Sequence, residues 1–199
     1  MRILGVVIAG GTSSRMGGRE KAFIELDGVS LLERILSRLS FQVDEVAINA
    51  NGDALRFAGF NCAVFPDYIN DVGTPLAGLQ AALAFAAQGG FDAVVTVPSD
   101  SPLIPLDLVQ RLLDGGEITG AAIATSEGRE HYLTGIWTIA LAQPLENLIT
   151  REGLRRVQDF ASKAKAAKVG WPSDPHDPFF NINTPEDLTE ATRIVRGET

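Results

Sequence analysis

The segment with the strongest chemical signal lies near the start of the sequence, at residues 8–21. It holds four glycines, the cationic residues Arg15 and Lys21, and three short hydroxyl residues, Thr12, Ser13 and Ser14. Glycine lets the backbone approach a ligand closely, and successive N–H groups can then face an anion. These residue types together predict a triphosphate site, and a flexible surface loop is the alternative. The spacing fits neither the P-loop nor the dinucleotide-binding motif, which disfavours both of those functions.

Asp100 is the first candidate for a metal ligand. It stands between Pro98 and Pro102, directly after the apolar run 94–97. The two prolines end a strand and stiffen the turn, so the carboxylate is expected at the edge of the sheet. Mg²⁺ is bound by few carboxylates together with water and substrate phosphates, so a single aspartate can suffice. The alternative is a turn residue that caps the following helix.

Asn49 and Asp67 follow the second and third predicted strands. From the residues alone, each could be an ordinary strand-end or turn residue.

Strand and helix signals alternate along the chain, and they predict how these residues are positioned. The predicted strands are residues 3–9, 45–50, 62–65, 92–97, 121–125 and 134–139. The predicted helices are residues 31–40, 76–88, 105–113, 140–148, 152–163 and 185–195. This alternation predicts the α/β class, with a mostly parallel sheet and helices on both faces. Ligands of such sheets bind at the carboxyl ends of the strands, where the polar loops lie.

Composition limits the function classes. The 199 residues, 45% hydrophobic and 21% charged, predict one globular domain over residues 1–199. A net charge of −8 disfavours sequence-independent nucleic-acid binding. Cys62 is the only cysteine, which excludes an internal disulfide and a multi-thiolate zinc site. The apolar run at the start is too short for a membrane span and lacks the features of a signal peptide, so we expect no membrane association and a cytoplasmic location.

Seven motifs, taken in order, resemble one known family, the MobA-type nucleotidyltransferases or molybdenum cofactor guanylyltransferases. The motifs are AGGTSSRMGGREK at 9–21, NAN at 49–51, FPD at 65–67, GTPLAG at 73–78, PSDSP at 98–102, GREH at 128–131 and FNINTPEDL at 180–188. Each motif alone is modest, whereas the ordered set is specific and extends over nearly the whole chain.

The resemblance implies a Rossmann-like, three-layer fold similar to that of nucleotide-diphospho-sugar transferases. It implies transfer of GMP from GTP to molybdenum-molybdopterin, with release of pyrophosphate. It also implies Mg²⁺ as cofactor, with Mn²⁺ as a substitute, and transient contacts with other enzymes of cofactor synthesis or with recipient enzymes. Residues 1–100 would form the nucleotide-binding half and residues 101–199 the acceptor-binding half.

The same resemblance assigns roles to individual residues. The implied catalytic residues are Arg15, Lys21 and Asp100, with Asp100 as the metal ligand. The implied nucleotide contacts are Ile8, Ala9, Gly10, Gly11, Lys21, Asn49, Asp67 and Asp100. In that role the Asn49 amide and the Asp67 carboxylate, with loop carbonyls, can meet the two donors and one acceptor of guanine, whereas adenine would leave some of these groups unpaired. The acceptor candidates are Arg129, His131, Asn181 and Asn183. A lone histidine is more often structural, and the two asparagines could equally serve turn and cap chemistry before the last helix.

Three other functions remain as alternatives. The nearest is a cytidylyltransferase that acts on the same pterin, or another small-molecule nucleotidyltransferase of this fold. A non-catalytic nucleotide-binding or carrier module is the second. A nicotinamide dehydrogenase is the third, and the missing G-x-G-x-x-G motif disfavours it.

Overall fold

A computed structural model describes residues 1–9, 20–69 and 73–198 of the chain. The strands are β1 Ile3–Ile8, β2 Glu25–Leu26, β3 Val29–Ser30, β4 Glu45–Asn49, β5 Ala63–Phe65, β6 Ala93–Pro98, β7 Ala121–Ser126, β8 Arg129–Thr138 and β9 Ala167–Trp171. The helices are α1 Leu31–Ser40, α2 Pro75–Gln88, α3 Leu108–Gly116, α4 Ala142–Glu152, α5 Val157–Lys163 and α6 Pro185–Arg196. Short 3₁₀ turns cover Lys21–Phe23, Ala54–Phe60 and Ile139–Leu141.

Seven strands form the main sheet, in the order β5-β4-β1-β6-β8-β7-β9. β1 is buried over all six residues and pairs in parallel with both β4 and β6. Only β8 runs antiparallel to its neighbours, β6 and β7. The register sets Ile8 beside both Asn49 and Pro98, and Asn49 beside Phe65. The parallel strands β5, β4, β1 and β6 therefore end at the same level, and the loops that follow them meet at one edge of the sheet.

Apolar side chains pack on both faces of this sheet, which makes three layers. One face is covered by α1 and α3, through residues such as Leu32, Ile35 and Leu112. The other is covered by α2, α4 and α5, through residues such as Leu83 and Phe160. The predicted α/β class with a mostly parallel sheet is therefore confirmed. Among the residues that the structure describes, no helix combines the length and apolar character that a membrane span needs.

Three predicted helices differ in their boundaries by two residues or more. The helix predicted at 105–113 begins only at Leu108, because residues 105–107 form a turn in which Leu108 N–H donates to Pro105 O. The helix predicted at 140–148 covers Ala142–Glu152, and the one predicted at 152–163 covers only Val157–Lys163. Gly153 adopts a left-handed conformation, φ 69°, which ends α4 at Glu152, and α5 starts at Val157.

Three strand features were not predicted. β8 begins at Arg129 rather than at residue 134, because its first half is only partly buried and lacks the apolar run on which the prediction relied. β9 is an edge strand of alternating exposure that pairs in parallel with β7. The two-residue strands β2 and β3 form a small separate hairpin. Such elements are stabilised by pairing more than by local hydrophobicity, so their own residues signal them weakly.

Candidate active site

A cleft of about 430 Å³ opens at the carboxyl ends of β4, β1 and β6. Its volume is in the range of small-molecule sites. Seven segments of the chain contribute its lining, which consists of Ile8, Lys21, Asn49, Asn51, Asp67, Gly73, Thr74, Pro75, Gly78, Pro98, Ser99, Asp100 and Leu133. Five predicted site residues are thus brought together: Ile8, Lys21, Asn49, Asp67 and Asp100.

Lys21 and Asp100 form an ion pair at one end of the cleft. The ammonium Nζ lies 2.8 Å from Asp100 Oδ2, and the two side chains are 16% and 19% exposed. Lys21 Nζ also donates to Asn183 Oδ1. The other carboxylate oxygen of Asp100, Oδ1, is buried and has no hydrogen-bond partner in the described ranges. A buried carboxylate oxygen without a partner is costly unless a cation or donor reaches it.

That orphaned oxygen allows a test of whether a divalent cation fits. Mg²⁺ takes oxygen ligands, and one or two carboxylates with water and substrate phosphates are its usual set. Asp100 supplies one such oxygen, and no group of three or more His, Cys, Asp or Glu residues suited to a metal occurs in the described part of the chain. The donor set therefore fits a cation shared with a phosphate ligand rather than one caged by protein alone.

The segment before α6 holds the Asp100 turn in place. Ile182 N–H donates to Asp100 O at 2.8 Å, and Ser101 Oγ donates to Asn181 Oδ1 at 2.5 Å. Asn183 N–H donates to Asp187 Oδ2 at 2.8 Å, and that carboxylate also completes a capping box with Thr184. The predicted cap chemistry is present, and it also directs the side chain of Asn183 toward Lys21.

At the other end of the cleft, two amides hold one carboxylate. Asn49 Nδ2 donates to Asp67 Oδ1 at 3.1 Å, and Asn51 Nδ2 donates to Asp67 Oδ2 at 2.8 Å. Asn51 Oδ1 accepts in return from the Asp67 N–H at 2.9 Å. Each carboxylate oxygen keeps a further acceptor site. Asn51 was not assigned a role from the sequence, although it belongs to the quoted NAN motif and stands two residues after Asn49.

Gly78, in the first turn of α2, packs directly on Asn49. A Cβ at this position would lie 2.5 Å from Asn49 Oδ1 and 3.1 Å from Ile8 Cγ2. We expect Gly78→Ala to displace the Asn49 amide and to weaken nucleotide binding about tenfold, since overpacking costs about 1–3 kcal/mol. Equilibrium titration with GTP measures the effect. Gly59→Ala is the control, because a Cβ there meets nothing within 4 Å. Equal affinity in the two variants would contradict the prediction.

Arg129 and His131 lie on the β7–β8 hairpin and are not among the residues that line the cleft. His131 Nε2 is 2.7 Å from Ser126 Oγ, and its ring packs 4.8 Å from that of Phe179. Burial, aided by the charge of Arg129, lowers the pKa of His131 against the opposing effect of Asp177. The histidine thus has structural contacts. Leu133, further along the same strand, does reach the cleft.

Part of the predicted site cannot be placed. Gly10, Gly11 and Arg15 lie outside the described residues. Ala9 is described: it is buried, and its N–H donates to Asn49 O at 2.8 Å. Ala9, the last described residue before the glycine-rich segment, therefore lies beside Asn49.

Comparison with known proteins assigns the family. The model of the MobA-like NTP transferase domain matches residues 5–167. The chain belongs to the MobA-like NTP transferase family. The resemblance drawn from the seven motifs is thereby confirmed.

The relatives match over their full length. A protein of Rhizobium leguminosarum bv. trifolii named molybdenum cofactor guanylyltransferase is 46% identical, with 98% of this chain and 94% of that protein covered. One of Cereibacter sphaeroides with the same name is 42% identical, with both chains covered completely. The solved structure of molybdopterin-guanine dinucleotide biosynthesis protein A from Archaeoglobus fulgidus superposes with a TM-score of 0.74 at 24% identity, covering 98% of this chain and 99% of that one. This structural similarity shows that the two proteins share the same fold.

Proposed function

We propose that this chain transfers GMP from GTP to molybdenum-molybdopterin and releases pyrophosphate. The observation that carries the proposal is that one cleft joins an amide-held carboxylate, Asp67, to a lysine–aspartate pair, Lys21 and Asp100. The first group suits the donor edge of a guanine and the second suits a triphosphate. The names of the full-length relatives support the same reaction.

The end of the cleft formed by Asp67, Asn49 and Asn51, the base end, supports guanine binding through its hydrogen-bond acceptors. Guanine presents N1–H and an exocyclic amine side by side, and the two oxygens of Asp67 are fixed in one plane by Asn49 and Asn51. A carboxylate held in this way can accept from both donors. Cytosine offers a single exocyclic amine, so it would leave one of these acceptors unused.

The end of the cleft formed by Lys21 and Asp100, the phosphate end, supports nucleotidyl transfer through its charges. Lys21 provides a cation where two anions must approach, and Asp100 provides an oxygen ligand for Mg²⁺. The chemistry that bound Mg²⁺ supplies at such a carboxylate is neutralisation of phosphate oxygens, and Mn²⁺ has the same ligand preference. Arg15 is proposed to add a second cation from the glycine-rich segment, where Gly10 and Gly11 would offer N–H groups.

The cleft needs no general base for this reaction. A phosphate monoester has a second pKa near 6, so the acceptor phosphate is largely a dianion at neutral pH and can attack the α-phosphorus directly. The acidic side chains in the described lining, Asp67 and Asp100, already have partners: Asp67 accepts from Asn49 and Asn51, and Asp100 pairs with Lys21. Positioning and charge neutralisation then supply most of the rate enhancement.

The acceptor is proposed to bind through residues 101–199, and the nucleotide through residues 1–100. The β7–β8 hairpin extends along the edge of the sheet that carries the cleft, and it brings Arg129 and His131 to that edge. Asn181 and Asn183 flank the Asp100 turn from the same half. Transient protein partners and a cytoplasmic location stay predictions from the sequence.

A pyrophosphate-release assay tests the proposal. The protein is supplied with molybdenum-loaded molybdopterin, Mg²⁺ and one of GTP, CTP or ATP. We expect pyrophosphate release with GTP, with kcat/KM at least about tenfold above that for CTP. The reason is that CTP would leave one acceptor of Asp67 unpaired, and a buried unpaired polar group costs about 1–3 kcal/mol. Preference for CTP would favour the cytidylyltransferase alternative. Binding of GTP without release would favour a carrier module.

A further inference from the structure

Arg56 has no role assigned by any motif, yet its side chain joins the two ends of the cleft. It lies in the 3₁₀ turn Ala54–Phe60, which follows β4. Its guanidinium Nε donates to Glu20 Oε2 at 3.0 Å. Its two terminal nitrogens donate to the backbone oxygens of Asn51 and Asp53, each at 2.5 Å. All three nitrogens of the guanidinium are therefore used.

The first partner leads to the phosphate end. Glu20 directly precedes Lys21, whose ammonium contacts Asp100. The Arg56–Glu20 ion pair is about two-thirds buried or more, with side chains 25% and 32% exposed. It fixes the backbone at the start of the Lys21–Phe23 turn and so helps to set where the ammonium points.

The second partner leads to the base end. Arg56 fixes the carbonyl of Asn51, and the side chain of Asn51 exchanges two hydrogen bonds with Asp67. The loop here includes Gly52 at φ 86°, and glycine, which lacks a Cβ, restricts the backbone less than other residues do. The guanidinium also stacks on the Phe57 ring at 4.5 Å, which restricts its own orientation.

We infer that Arg56 is a positioning residue that holds Lys21 and the Asn51–Asp67 pair in register, so that base recognition and phosphate chemistry occur on one bound nucleotide. This inference rests on the proposed function. A planar guanidinium with three differently directed donor groups suits this role, whereas a lysine can reach only part of the set. The residue touches neither end itself and acts through Glu20 and Asn51.

Arg2 provides a matched control at the opposite, amino-terminal edge of the sheet. Its guanidinium also pairs with a glutamate, Glu45, at 3.0 Å, and donates to the two carbonyls of Gly89 and Gly90. It also stacks on a phenylalanine, Phe91, at 4.5 Å. A merely structural arginine of this type should affect stability without changing the kinetics of transfer.

The test measures kcat and base preference, the latter as kcat/KM for GTP divided by that for ITP, which lacks the exocyclic amine. We expect Arg56→Ala to lower both, each on the order of tenfold, because small misplacements of a positioned group cost this much or more. Glu20→Gln should lower kcat and leave base preference unchanged, because it weakens only the Arg56–Glu20 contact that positions Lys21. Arg56→Lys keeps a cation for Glu20 and should restore kcat more than base preference. Arg2→Ala and Glu45→Gln should leave both quantities within about twofold of wild type, as expected for surface changes away from the site.

Thermal unfolding of each variant separates folding from positioning, and the pair Glu20→Gln and Arg56→Lys tests the inference even if Arg56→Ala fails to fold. Unchanged kcat and base preference in the Arg56 variants, beside an active wild type, would overturn the inference alone. A fall in kcat without a fall in base preference in Arg56→Ala would also overturn it, since no coupling would then exist. A wild type that releases no pyrophosphate from GTP would instead overturn the proposed function.

Discussion

Replacing Asp100 with alanine is expected to abolish detectable transfer while leaving the fold intact. Asp100 presents one buried oxygen without a partner in the described residues and one that pairs with Lys21. The Asp100→Ala change removes the proposed metal ligand. It also removes one of the two acceptors of the Lys21 ammonium, Asp100 and Asn183, and leaves only Asn183. Lewis-acid stabilisation is worth several kcal/mol, so a loss of about 4 kcal/mol would lower kcat about 10³-fold.

Pyrophosphate release measured against Mg²⁺ concentration checks this expectation. Asp100→Asn is the informative companion, because it keeps the size of the side chain and an oxygen acceptor for Lys21 but removes the negative charge. If charge and metal binding are the essential properties, the asparagine variant should be almost as inactive as the alanine variant. Turnover near the wild-type rate in Asp100→Asn would show that the turn is structural, as the capping alternative holds. Asp114→Ala, at an exposed carboxylate of α3 outside the cleft lining, serves as a control for general loss of an acidic residue.

Lys21→Ala should have the second largest effect, a fall in kcat of about 10²–10³-fold, the cost observed when one preorganised donor to a developing anion is removed. The ammonium is held by Asp100 and by Asn183, so it is oriented before any ligand arrives. Its loss also leaves Asp100 without its cation. We therefore expect GTP affinity to fall while binding of Mg²⁺ or Mn²⁺ to the protein alone becomes tighter.

Three measurements separate these effects: kcat, the GTP dissociation constant, and titration with Mn²⁺ monitored by electron paramagnetic resonance. Lys21→Arg keeps the charge but not the compact geometry, and should recover GTP binding more than kcat. Lys165→Ala changes a lysine that is not part of the cleft lining and should behave as wild type. A Lys21→Ala protein with wild-type kcat and GTP affinity would refute the proposed role of the phosphate end.

The sequence by itself determined the class of the fold and the loops that carry the chemistry. Apolar runs such as 3–9 and 92–97 have the length and the nearly uninterrupted apolar character of buried strands, and a glycine or proline follows each, which predicts a turn. Because parallel strands end at one edge, the residues at or just beyond their ends, Asn49, Asp67 and Asp100, are predicted to lie together from the sequence alone. The ordered motifs then identified the family.

Only the tertiary structure decided which side chains meet. Lys21 pairs with Asp100, 79 positions later, and with Asn183, 162 positions later. Arg56 reaches Glu20 across 36 positions. Local periodicity and turn chemistry cannot predict such long-range contacts, because these depend on strand order and register. The same reason explains why the edge strand β9, which forms by pairing with β7, was not predicted.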